Sequence, residues 1–169
     1  MRIFVLFILS LVSCFALEVG SPLPLTSLSG EEGGTLDQSQ WESASLTRKV
    51  HVVFYVDPDE KNTNNHVSEA LKKEQFDRNV YGSVAIINMA ASWLPNWALE
   101  SALEEKQATY PDTLYVKDMH KKLINTWGLK DYSSNVYVID KDGIVRFVFE
   151  GKLDSVSIQR LIETIRTYM

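Results

Sequence analysis

The chain has one cysteine in 169 residues, Cys14, close to its start. No internal disulfide can form, and no cysteine pair exists for thiol–disulfide exchange. Histidine is nearly as scarce. His51, His66 and His120 stand far apart, with no pair at the spacing of zinc ligands. Structural or surface roles are expected for them, and no metal site. None of the eight glycines forms a G-x-G-x-x-G phosphate loop or a G-x-S-x-G nucleophile elbow. There is no run of five basic residues: 17 Lys and Arg face 22 Asp and Glu, a formal net charge of −5. Duplex-binding domains cluster cations against phosphate, so nucleic acid is excluded as a partner class, as is adsorption of the folded domain to an anionic membrane. Beyond the first residues no segment is apolar for 18 positions, and no spanning helix is expected in the mature chain.

What is present begins with the N-terminus. Met1-Arg2 supplies a positive charge, and Ile3 to Val12 is apolar except for Ser10. Such a run is half the ~20 residues a membrane span needs. A charged start, a short apolar run and then small residues read as a secretory signal over residues 1–16. Two processing routes overlap. Cleavage after Ala16 releases a soluble periplasmic protein starting at Leu17, the favoured route. In the alternative, Leu11-Val12-Ser13-Cys14 resembles a lipobox, and Cys14 becomes the lipidated first residue of an envelope lipoprotein.

The remaining 17–169 suits one domain. It is too apolar to be disordered, at 45% hydrophobic and 23% charged over the whole chain. An arm, 17–49, looks irregular because Pro22, Pro24, Gly30, Gly33 and Gly34 interrupt it, with Leu23, Leu25, Leu28 and Leu36 able to pin it to a core. VHVVFYV (50–56) and SVAIINM (83–89) read as strands buried on both faces. Further strands are expected at 113–116, 135–140 and 144–150, the last two joined at Asp142-Gly143. Helices are expected from Asn65, from Pro95-Asn96, from Asp118 to a C-cap at Gly128, and from Asp154 or Ser155. Ile158, Leu161, Ile162 and Ile165 give the last one an amphipathic stripe. The order βαβαβαββα implies an α/β fold, a central mixed sheet with helices on both faces.

That order, with its closing hairpin and helix, is similar to the thioredoxin-like fold. VYVIDKDGIVRFVFEGKL (136–153) resembles the late hairpin of exported thioredoxin-like and peroxiredoxin-like proteins, and VGSPLPLTSLSGEEGGTL (19–36) resembles their N-terminal arm. With RKVHVVFYV, ALESALEEK, YPDTLYVKD and YSSNVYVIDKDG, nearly all of 17–169 resembles the YtfJ family of bacterial periplasmic proteins. The resemblance implies a thioredoxin-like domain, an exported location and no assigned reaction.

Thioredoxin chemistry places a Cys-x-x-Cys pair where the first long strand meets its helix, because the helix N-terminus favours the thiolate. Here that place is the loop 57–65, which holds no cysteine. Where the fold usually presents a cis-proline, this chain has Ser133, Ser134 and Asn135. Thiol, disulfide and peroxidase activities are not expected, nor is any cofactor. Asp57, Asp59, Asn62, Asn64 and Asn65 offer oxygen ligands but lack the glycine and glutamate of an EF-hand, so a solvated turn is expected. Binding candidates are Trp93 and Trp97, which flank Pro95 between a strand and a helix, together with Asp57, Asp59 and His66. The expected function is non-catalytic binding of an envelope protein or a small ligand. The alternative is an enzyme with a non-cysteine site near 57–65.

Overall fold

A computed structural model describes residues 16–169. Cys14 and the signal-like run lie outside the described residues. The central sheet has six strands. In chain order they are β2 (Gly33–Thr35), β4 (Val50–Val56), β5 (Tyr81–Asn88), β6 (Thr113–Asp118), β7 (Ser134–Ile139) and β8 (Val145–Glu150); in space they run β2-β6-β5-β4-β7-β8. The pairs β4–β5 and β5–β6 are parallel, and the other three are antiparallel. β1 (Ser27–Leu28) and β3 (Trp41–Glu42) form a separate two-stranded pair.

Strand alternation builds two cores. From β4, Val50, Val52 and Phe54 point to one face, with Val67 and Leu71 of α1 (Asn65–Glu74), Leu99 and Leu103 of α2 (Asn96–Thr109), and the Ile158–Ile165 stripe of α4 (Ser155–Tyr168). Val53 and Tyr55 point to the other face, with Leu123 and Trp127 of α3 (Lys122–Trp127) and Leu23, Leu28, Trp41 and Leu46 of the arm. Each fully buried side chain of this kind is worth about 1.5–3 kcal/mol, so a chain without disulfides has two layers of burial to hold it. Trp41 and Trp127 meet edge-on at 6.3 Å, and the Trp127 indole N–H donates to Pro24 O at 2.9 Å.

Three local readings are corrected. The arm is not irregular: β2 pairs in register with β6, Gly33 opposite Asp118 and Thr35 opposite Val116. Leu25 is exposed, whereas Leu23 and Leu28 are buried. Asp118 ends β6, and α3 starts four residues later, so His120 precedes the helix. The capping role survives in another form. The Asp118 carboxylate accepts from Lys122 N and Leu123 N, both at 2.9 Å, and so holds the first turn from outside it.

Candidate functional site

The strands β4 and β5 run parallel, and their C-terminal ends open on the crevice where open α/β sheets bind ligands. Here a buried polar network occupies that crevice, with Asn88 Oδ1 left without a partner among the described residues. Asp57, the residue after β4, is buried. Its carboxylate accepts from Asn88 Nδ2 at 2.7 Å and from Ser133 N at 3.1 Å, while its own N–H donates to Ser133 O. Asn88 Nδ2 also faces Asp131 at 3.4 Å, and Asp131 accepts from Lys121 Nζ at 2.7 Å. The Lys121 ammonium lies 4.7 Å from the Tyr132 ring centre. Burial pushes the Asp57 carboxyl above its ordinary value, and the Asp131 charge adds to this, against the lowering effect of the Asn88 and Ser133 bonds and of Lys121. Ser133 supplies the N–H that a proline at that position would lack. Asn64 ties the loop down from the other side. It donates to Ser134 Oγ at 2.9 Å and Gly151 O at 2.8 Å, and accepts from Leu153 N at 3.1 Å. Every bond of Asp57 is made within the protein, and the side chain is closed to solvent. That geometry fixes a loop.

The open concavity lies one layer out. Between α1 and α2, over the face of β4, β5 and β6, is a cleft of about 850 Å³. Phe54, Leu71, Ile87, Leu99, Leu103 and Tyr115 give it an apolar floor, and Lys61, Lys72, Lys106 and Glu105 stand on its rim. Clefts of about 300–1,000 Å³ with apolar lining and few polar groups are the usual form of small-ligand sites. Leu94 and Ala98 line its mouth, next in sequence to Trp93 and Trp97. Those two indoles are 85% and 73% exposed.

The family model described as "Bacterial protein of unknown function (YtfJ_HI0045)" matches residues 29–168. The chain belongs to this family. It is similar to the uncharacterized protein YtfJ of Escherichia coli (strain K12), 26% identical over 165 residues that span 92% of this chain and 89% of the relative. It is also similar to an uncharacterized protein of Haemophilus influenzae (strain ATCC 51907 / DSM 11121 / KW20 / Rd), 33% identical over 129 residues, 74% of this chain and 70% of the relative. Among solved structures it is similar to the exposed lipoprotein thioredoxin Etrx1 of Streptococcus pneumoniae strain TIGR4, with a TM-score of 0.57, 14% identity, and coverage of 82% of this chain and 98% of that one. The fold is thioredoxin-like.

In this YtfJ-family chain the sequence candidates do not form one site. Asp57 sits in the strand-end network, Asp59 is exposed on the cleft rim, and the two carboxylates do not converge. No group of three His, Cys, Asp or Glu among the described residues is arranged to hold a metal ion. His66, in the first turn of α1, bonds Leu153 O at 2.7 Å and packs its helix against the start of the α4 segment. His51 lies over Gly82, where a Cβ would come within 2.5 Å of its ring. Of these candidates only Asp59 lines the cleft, and Trp93 and Trp97 adjoin its lining residues Leu94 and Ala98 in sequence. Asn88, Asp131 and Lys121 of the network, and Lys72, Lys106 and Tyr110 of the rim, were not among the candidates. One signal was visible: Asn88 is the polar residue inside the apolar run SVAIINM.

Proposed function

We propose that the processed chain is a non-catalytic binding domain of the bacterial envelope that takes an apolar ligand into the α1–α2 cleft. The observation that carries this reading is the cleft itself, apolar at its floor and about 850 Å³. The missing cysteines support the non-catalytic part, because residues 17–169 hold no thiol and the place of the redox pair is occupied by a buried hydrogen-bonded network. The charged, apolar, then small-residue start supports export, with the soluble periplasmic form preferred to the Cys14 lipoprotein. The experiment titrates purified protein with N-phenyl-1-naphthylamine, a neutral apolar probe that brightens out of water. Saturable binding with energy transfer from tryptophan is expected. Ala102→Trp places a bulky ring in the cleft from an exposed position of α2 and should weaken binding at least about tenfold, with an unchanged unfolding midpoint. Absence of saturable binding, or indifference to Ala102→Trp, would refute the assignment of the cleft.

A further inference from the structure

The cleft is not electrically neutral at its Tyr110 end. Lys72 comes from the last turn of α1 and Lys106 from the last turn of α2. Their ammonium groups stand 5.5 and 5.8 Å from the same ring centre, that of Tyr110. The negative end of each helix dipole favours a lysine there, but it does not bring lysines of two helices to one ring. Neither lysine has a carboxylate within 4 Å among the described residues, and the one polar partner of the pair is Asn65 Oδ1, at 3.5 Å from Lys106.

The carboxylates on this rim are otherwise engaged or distant. Glu69 accepts from the Tyr110 hydroxyl at 2.8 Å. Asp112 pairs with Arg78 at 3.3 Å. Glu105 faces the cleft but lies beyond ion-pair distance of both ammonium groups. The turn that carries this ring is also well anchored. Gln107 Nε2 donates to Tyr110 O, Pro111 O and Thr113 O, which stiffens the turn from α2 into β6. Two cations near one ring, neither with a carboxylate within ion-pair distance, favour an anion at that end of the cleft.

We infer that the cleft's ligand is a single-chain amphiphile, its apolar chain on the Phe54–Leu103 floor and its anionic head at the Tyr110 end, within reach of Lys72 and Lys106. This inference rests on the reading of the cleft as a ligand site. Lysine suits such a head, since its ammonium is a point charge on a flexible stem and needs no planar, bidentate partner. The apolar floor supplies affinity that does not depend on the head, and the lysine pair supplies the choice of head.

The test displaces N-phenyl-1-naphthylamine from the protein with three ligands of equal chain length, each below its micelle concentration: laurate, dodecanol and dodecyltrimethylammonium. Laurate is expected to displace the probe at a concentration about tenfold below that of dodecanol, the size of one charge-assisted hydrogen bond in a partly dry site, and the cation is expected to be the weakest. In the double variant Lys72→Gln/Lys106→Gln the laurate preference should fall to about one while the probe binds as before. Lys72→Arg/Lys106→Arg, which keeps both charges, should restore most of it. Equal displacement by laurate and dodecanol from the unmodified protein would overturn the anionic head and leave the cleft standing. Failure of the probe to bind would overturn both.

Discussion

If the strand-end network is a structural closure, Asp57→Ala should cost stability and leave the cleft intact. The substitution removes the acceptor of Asn88 Nδ2, at 2.7 Å, and of Ser133 N, at 3.1 Å. Ser133 is buried, so its N–H has no water to turn to. Hydrogen bonds to a charged acceptor are worth about 1.5–3 kcal/mol each. Against this stands the relief of no longer burying a carboxylate, whose unfavourable sign is seen in the raised proton affinity of Asp57. The net cost expected near neutral pH is about 2–3 kcal/mol, since the two bonds outweigh that relief. In a domain of this size that lowers the melting temperature by roughly 5–10 °C. The cost depends on pH with a definite sign. A carboxyl raised in the folded state binds its proton more tightly there than in the unfolded chain. Its contribution is therefore fully present below the ordinary value of 3.8 and is lost as pH rises through the folded value. Asp57→Ala lacks this contribution, so its penalty should grow as the pH is lowered through that window. Urea denaturation followed by circular dichroism at several pH values, with probe binding measured on the folded variant, checks both points. A penalty under about 0.5 kcal/mol, the scatter of ordinary surface changes, would refute the closure. So would a penalty that shrinks on acidification, or loss of probe binding in the folded variant.

Gly33→Ala should detach β2 from the sheet, because at φ +125° the added Cβ would lie 1.9 Å from Lys117 O. A loss of about 2–4 kcal/mol and faster amide exchange across 33–35 are expected, measured by urea denaturation and hydrogen exchange. Asp118→Ala removes the acceptor of Lys122 N, Leu123 N, His120 N and the Tyr55 hydroxyl together and should cost about 3–4 kcal/mol by the same denaturation assay, whereas Tyr55→Phe removes one bond and should cost about 1 kcal/mol.

The elements that were legible in the sequence are those whose signal is local. VHVVFYV is a strand with β-branched and aromatic residues on both sides, and β4 spans those seven residues. Asp154 caps α4 as its position suggests, accepting from Ser157 N at 2.7 Å. Gly143 sits at φ +79° in the turn between β7 and β8. β2 was not legible, because it pairs by backbone alone and its first two residues are glycines, which propensity assigns to loops. Those glycines are there since the neighbouring carbonyl leaves no room for a side chain. Asp118 was read as a helix cap three positions too early, because its carboxylate reaches across the link that the left-handed Lys121 completes. The strand-end network joins Asp57 to Asn88, 31 positions away, and to Ser133, 76 positions away, distances at which no sequence pattern operates. The cleft was not legible as a site. Trp93 and Trp97 were marked from their place around Pro95, but the lysines of two helices meet at Tyr110 only once the helices have packed on the sheet.

The network and the cleft bear on each other through the sheet. A crevice at the ends of parallel strands is the place where this kind of architecture offers exposed polar backbone to a ligand. In this chain Asp57 and Ser133 are paired at that end, while the buried Asn88 Oδ1 keeps no partner among the described residues. Asn64, separate from those bonds, ties the start of α1, one wall of the cleft, to Ser134, Gly151 and Leu153. A ligand site on a fixed wall loses less entropy on binding than one on a mobile loop. The opposite wall is held differently. α2 buries only Leu99 and Leu103 against the sheet. It leaves Trp93, Leu94 and Trp97 at its entrance in water. One wall is thus rigid by hydrogen bonding and the other weakly packed and apolar.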